Sequence, residues 1–194
     1  MLENLSVWIW CCGILAWCAI RYPHQRRARK LKITSHRRSK EEQLLLSGAA
    51  AGLVLAPIVW MLSGWPSRWN YQPTPITTAI GTACMLGFLW LFYAVHQQLG
   101  RNWSITLEIR EDHQLVTSGL FSRIRHPMYT SFWLWAFSQS LLIPNWFAGL
   151  TGLVMVGLLY FRRVHREEAM LRETFGRPYE DYMRRTKRLV PWII

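Results

Sequence analysis

Acidic side chains are scarce in this chain. Eleven Asp and Glu stand against 23 Lys and Arg, for a formal net charge of +12. Such a balance raises the question of a nucleic-acid partner. The distribution of the charge excludes one, because little polar sequence remains to build a soluble core once the long apolar tracts are set aside. Cysteine is also sparse: Cys11, Cys12, Cys18 and Cys84 lie in apolar tracts, without CxxC spacing or neighbouring paired histidines. That argues against a metal-ligand pattern and a disulfide framework and favours small packing residues. No internal repeat, low-complexity segment or Gly-rich dinucleotide loop is present. The first twenty residues lack the basic n-region and small-residue cleavage site of a signal peptide.

What the chain does contain is long uncharged runs. Half of the residues are apolar. Leu2 to Ile20 reads as a first transmembrane helix, followed by a basic loop from Arg21 to Lys40 with nine Arg/Lys and no acid. The loop reads as a solvated determinant of topology with affinity for anionic headgroups. Gln43 to Trp65 and Ile76 to Gln98 are uncharged and long enough to cross a bilayer. The first of these has the small-residue run Gly48-Ala49-Ala50-Ala51-Gly52 for close helix packing and a Pro57 that can kink it. Trp65, Trp69 and Tyr71 form an interfacial aromatic belt. Trp103 to Ile109 alternates loosely, as extended chain does.

Met128 to Phe161 holds 34 residues without a charge, too many for one ordinary span. Pro144-Asn145 near its middle divides it into two helices, Met128–Ile143 and Trp146–Phe161, joined by a tight turn. Arg162 to Arg188 is amphipathic and highly charged, interrupted at Phe175-Gly176-Arg177-Pro178. The expected fold is therefore all-α: an integral membrane bundle of five transmembrane helices with a cytoplasmic C-terminal helical cap. Arg and Lys number nine in the first loop, one in the second, four in the third, none in the fourth turn and nine after Phe161. The positive-inside rule then puts the N-terminus outside, and the C-terminus in the cytoplasm. Residues 1–100 form an N-terminal three-helix part and 101–194 the functional half.

The polar interval before the fourth span and the charged run after the fifth emerge on one side, at the open ends of one hairpin. The ordered set Leu115-Val116-Thr117-Ser118-Gly119-Leu120-Phe121, Arg125-His126-Pro127-Met128-Tyr129, Glu167-Glu168 and Phe175-Gly176-Arg177-Pro178-Tyr179-Glu180-Asp181-Tyr182 resembles the isoprenylcysteine carboxyl methyltransferases and the related membrane phospholipid methyltransferases. The resemblance covers the C-terminal half. It implies S-adenosylmethionine as methyl donor, with S-adenosylhomocysteine as product. Residue by residue it implies donor contacts at His113, Leu115, Val116, Phe121, His126, Pro127, Met128, Tyr129 and Glu167, and catalytic contacts to the acceptor at Arg163 and Glu167. At Phe121 these enzymes commonly have Tyr, so stacking is retained without a hydroxyl. The implied acceptor is the carboxylate of a prenylated cysteine or a similar lipophilic acid. The implied surroundings are membrane lipid and a small-molecule or prenylated-protein substrate.

The chemistry of the residues agrees. A carboxylate acceptor is already ionised at neutral pH and needs no general base. The protein's tasks are alignment, exclusion of water and a cation for the acceptor. Arg163 suits the last, since guanidinium grips carboxylate bidentately. Glu167 lies at i+4 on the same helical face. Taken singly, each feature has a plainer reading. Arg163–Glu167 is then a surface ion pair, His126-Pro127 a helix-start device, and Arg123 and Arg125 positive-inside anchors. Glu168 then faces water, while Tyr179 and Tyr182 are packing groups. Other functions remain open: an amine methyltransferase acting on a phospholipid headgroup, an NADPH-dependent membrane reductase of the sterol type, and a scaffold without chemistry.

Overall fold

The computed structural model describes residues 2–28, 33–36, 40–100, 108–110 and 114–191. Helices dominate it: α1 (Leu2–Ala28), α2 (Lys40–Ala50), α3 (Ala56–Ser63), α4 (Pro75–Leu99), α5 (Pro127–Leu142), α6 (Trp146–Phe175) and α7 (Arg177–Arg185). The all-α expectation needs one amendment. Within the stretch read as a solvated basic loop, α1 continues to Ala28, and strand β1 (Ile33–His36) pairs antiparallel with β2 (Glu108–Arg110). Ile33 and Thr34 are β-branched and favour extended backbone. The extended reading of Trp103–Ile109 is met at residues 108 and 109, while residues 103–107 lie outside the described residues.

Each helix begins and ends where its sequence allows. Thr74 and Thr77 form a reciprocal capping box at the start of α4, with Pro75 in the first turn, where its missing N–H costs nothing. The Asn145 side chain accepts from the Ala148 N–H at 2.9 Å and caps α6. Gly64, at φ 68°, closes α3 with its N–H on the Trp60 carbonyl at 2.7 Å. The span Trp146–Phe161 and the charged run after it form one continuous helix, α6, which runs to Phe175. Residues 162–175 contain neither Gly nor Pro and are rich in Arg and Glu, both good helix formers. The break falls at Gly176, as the motif suggested.

Between α2 and α3, at the end of the small-residue run, the chain adopts a π-helical turn, Ala51–Leu55. A π-turn frees a carbonyl from the ladder. The Gly52 carbonyl accepts from Gln139 Nε2 at 2.9 Å and from Thr151 Oγ1 at 3.0 Å. A Cβ on Gly52 would lie 2.8 Å from the Thr151 carbonyl oxygen, so only glycine permits this approach to α6.

The main apolar core joins Trp10, Leu53, Trp60, Met85, Phe88, Phe92, Trp135 and Val156 from five helices and the π-turn. Large apolar side chains also cover the outside, among them Trp8, Leu15, Leu62, Ile76 and Phe161. Such an exterior suits lipid rather than water. Among the described residues, four helices are long and apolar enough to cross a bilayer, Leu2–Arg27, Lys40–Ser63, Pro75–Leu99 and Trp146–Phe175. The chain is a multi-pass membrane protein. α5 is not among the four: its 16 residues reach ~24 Å, less than a hydrocarbon core of ~30 Å.

Candidate active site

The polar interval is strapped between the end of α4 and the tail that follows α7. Gly119, at φ 59°, starts a single 3-10 turn, and the next N–H, of Leu120, donates to Gln98 Oε1 at 3.0 Å. From the other side the Tyr182 hydroxyl donates to the Phe121 carbonyl at 2.6 Å. The Arg125 N–H then donates to the Lys187 carbonyl at 2.7 Å and the His126 N–H to that of Arg188 at 2.9 Å. His126, held out of the helical region before Pro127, delivers its side chain at the start of α5.

Facing it, α6 presents two adjacent glutamates. Neighbouring helical residues point about 100° apart, so both can be covered only where the helix is enclosed on two sides. α5 and the tail provide that enclosure. Glu168 is 1% exposed, which sets aside the plainer reading of it as a water-facing side chain. Its Oε1 accepts from Arg125 Nη2 at 2.9 Å and from Arg188 Nε at 3.0 Å, and its Oε2 accepts from Arg188 Nη2 at 2.7 Å. Arg125 also donates to the Met183 carbonyl at 3.1 Å and to that of Thr186. It is therefore no simple surface anchor. His126 Nε2 lies 3.2 Å from Glu168 Oε1, and its Nδ1 3.7 Å from Glu167 Oε1. Burial opposes charge on this imidazole, but the two carboxylates outweigh it and hold the group above its usual range.

Glu167 leads the network onward. Its Oε2 accepts from the Tyr129 hydroxyl at 2.8 Å and lies 3.8 Å from Arg163 Nε, confirming the i+4 relation. Only 11% of the Arg163 side chain is exposed, so this is no ordinary surface pair. Its Nη1 lies 3.5 Å from Oε1 of Glu42, a buried residue on α2.

The structure thus joins His126, Tyr129, Arg163 and Glu167 in one polar network. Leu115, Val116, Phe121 and Met128 gather in an adjoining apolar cluster with Leu91, Val95, Tyr179 and Tyr182. Pro127 is buried at the start of α5. His113 lies outside the described residues. The packing reading of Tyr179 and Tyr182 holds, with one addition: the Tyr179 hydroxyl is buried and has no hydrogen-bond partner among the described residues. Sequence reasoning missed Glu42 and Arg188, and placed Glu168 and Arg125 in the motif without assigning either a role in the site. A faint signal existed for Arg188, a cation between apolar residues just beyond the charged helix.

The fold and site define a class, a helical membrane protein with a buried carboxylate–guanidinium network at one end of its bundle. Residues 79–173 match the isoprenylcysteine carboxyl methyltransferase (ICMT) family, a stretch that takes in the motifs from Leu115 to Glu168. The chain is 31% identical over 119 residues to the protein-S-isoprenylcysteine O-methyltransferase of Schizosaccharomyces pombe, covering 60% of this chain and 50% of that protein. It is 32% identical over 96 residues to protein-S-isoprenylcysteine O-methyltransferase B of Arabidopsis thaliana, covering 48% and 49%. The chain therefore spans about half the length of these relatives. A similar fold occurs in the eukaryotic intramembrane Ras methyltransferase ICMT, solved without a monobody. The TM-score is 0.54 at 23% identity, over 81% of this chain and 55% of that one.

Proposed function

We propose that this protein is an S-adenosylmethionine-dependent membrane methyltransferase acting on the carboxylate of a prenylated cysteine or a similar lipophilic acid. The observation that carries the reading is the nearly buried Arg163 guanidinium, set in line with Glu167, Tyr129 and His126. A phospholipid amine acceptor gains nothing from a cation at that place, whereas a carboxylate acceptor requires one.

The residues fit the donor. The apolar cluster of Leu115, Val116, Phe121 and Met128 offers a surface for a flat base, and the buried Tyr179 hydroxyl beside it is an unused hydrogen-bonding group. His126 and Glu167 offer opposite charges for an amino-acid moiety. S-adenosylmethionine supplies an electrophilic methyl on a sulfonium. Arg163 holds the acceptor carboxylate, and Glu167 orients Arg163 through their shared helical face. Tyr129 fixes Glu167, and the lipid-facing exterior of α5 and α6 admits a lipophilic chain. The new bond is oxygen to methyl carbon. The broken one is carbon to sulfur, whose electrons stay on sulfur, and no proton needs to move.

On this reading α5 and α6 form the membrane hairpin, residues 101–194 hold most of the site, and the network faces the cytoplasm with the N-terminus outside. The test is transfer of labelled methyl from S-adenosylmethionine, by protein in detergent or vesicles, to prenylcysteines and to phospholipids. A base-labile methyl ester on prenylcysteine is expected. Label on headgroup amines alone, or binding of NADPH with none of S-adenosylhomocysteine, overturns the reading.

A further inference from the structure

Glu42 lies outside the segment that matches the methyltransferase family. It is the third residue of α2, on the N-terminal side of a helix that is otherwise uncharged beyond it. Yet it is 4% exposed and reaches Arg163 Nη1 at 3.5 Å. Its neighbour Glu41 shows what a helix-to-helix tie looks like here. Glu41 Oε2 accepts from Arg166 Nη2 at 2.6 Å, and Oε1 lies 3.5 Å from Arg162 Nη1, with all three side chains well exposed. Glu41 therefore already fastens α2 to α6 at the surface. A second carboxylate buried one residue away incurs desolvation that the first avoids. That cost needs a different return, and the partner of Glu42 is the one cation that the proposed reaction uses.

We infer that Glu42 is a positioning residue for the acceptor site, and this rests on the reading of Arg163 as the carboxylate grip. Glu167 approaches the guanidinium at Nε and Glu42 at Nη1. Two carboxylates at different nitrogens fix the plane of the guanidinium. A planar fork binds carboxylate well only when its plane is set beforehand. Both separations, 3.8 and 3.5 Å, are longer than the ~2.8 Å of a charge-assisted hydrogen bond. The N-terminal half, otherwise scaffold, thus supplies one residue to the site.

The test compares wild type with Glu42→Gln and Glu42→Asp in steady-state methylation of a farnesylated cysteine, with S-adenosylhomocysteine binding and melting temperature measured alongside. Glu42→Gln keeps the shape and removes the charge. Its acceptor KM rises ~10-fold, while S-adenosylhomocysteine affinity stays within about twofold. Glu42→Asp recovers part of the loss. The inference is overturned if acceptor KM is unchanged or falls. It is equally overturned if acceptor and donor parameters worsen together with the melting temperature, the signature of a purely structural tie. A wild-type protein that binds S-adenosylhomocysteine but methylates no carboxylate would instead overturn the reading of Arg163, and this inference with it.

Discussion

Arg188 clasps Glu168 with two parallel hydrogen bonds, Nε to Oε1 at 3.0 Å and Nη2 to Oε2 at 2.7 Å. These residues stand 20 positions apart, on either side of the break at Gly176. The clasp folds the tail back along α6, and the backbone of Lys187 and Arg188 then accepts from Arg125 and His126. One carboxylate thereby fixes both the tail and the start of α5.

Glu168→Gln removes the charge that Arg125 and Arg188 share. Arg125 is 8% exposed at its side chain and has no route to water without moving the strap. Leaving a buried cation uncompensated costs ~3–5 kcal/mol. The variant should lose a large part of its thermal or denaturant stability in detergent, whereas Glu41→Gln, which loosens an exposed pair, should lose little. Equal stability of the two variants would refute this account of Glu168.

Arg163→Ala should abolish methylation of a carboxylate acceptor while leaving S-adenosylhomocysteine binding within about threefold. Truncating one member of a desolvated charge pair costs ~2–5 kcal/mol, or roughly 30- to 5,000-fold in kcat/KM. Arg163→Lys restores the charge but not the planar fork, so its activity should fall between the two. Full activity in Arg163→Ala would remove the carboxylate assignment.

The extent to which this arrangement is legible in the sequence differs from one element to the next. The hairpin is plain, because an uncharged run twice the usual length with Pro144-Asn145 inside it has few other solutions, and α5 and α6 start and turn where expected. Arg163 and Glu167 are legible because i+4 spacing is local. Glu168 is not, since burial of a residue next to Glu167 depends on what packs on a second face of the helix. Glu42 is hidden for a stronger reason. Its partner lies more than a hundred residues away, and only the packing of α2 on α6, made close by Gly52, brings the two together. The π-turn at Ala51–Leu55 is likewise invisible, as the sequence offers Pro57 as the evident irregularity.

His126 gives the stability a definite pH dependence. Glu167 and Glu168 face it, Arg125 shares Glu168 with it, and the Tyr129 ring lies 5.6 Å away. Its folded-state pKa is raised above the ordinary value near 6.5. The stabilisation is then fully present below that ordinary value and is lost as pH rises through the folded pKa. The melting temperature of the wild type should fall as pH is raised above about 6.5, with a smaller fall in His126→Asn. Parallel curves for the two proteins would contradict the charged imidazole.

Tyr179 separates binding from folding. Its hydroxyl is buried without a partner among the described residues, and burial raises its pKa, so it stays protonated and able to donate. An unsatisfied buried hydroxyl costs ~1–3 kcal/mol in the free protein. Tyr179→Phe should therefore leave the melting temperature of the free protein unchanged or raise it. If the hydroxyl is kept for the methyl donor, the same variant should bind S-adenosylhomocysteine ~3–10-fold more weakly, the worth of one hydrogen bond. A structural role predicts the opposite pairing, lower stability with unchanged affinity. Calorimetric titration and a melting curve on the same preparation distinguish the two. The outcome also bears on Phe121, in the same cluster, where the resemblance to the prenylcysteine enzymes leads one to expect a tyrosine. A donor-binding role for Tyr179 would mean that the polar group this pocket needs comes from α7 rather than from the strap.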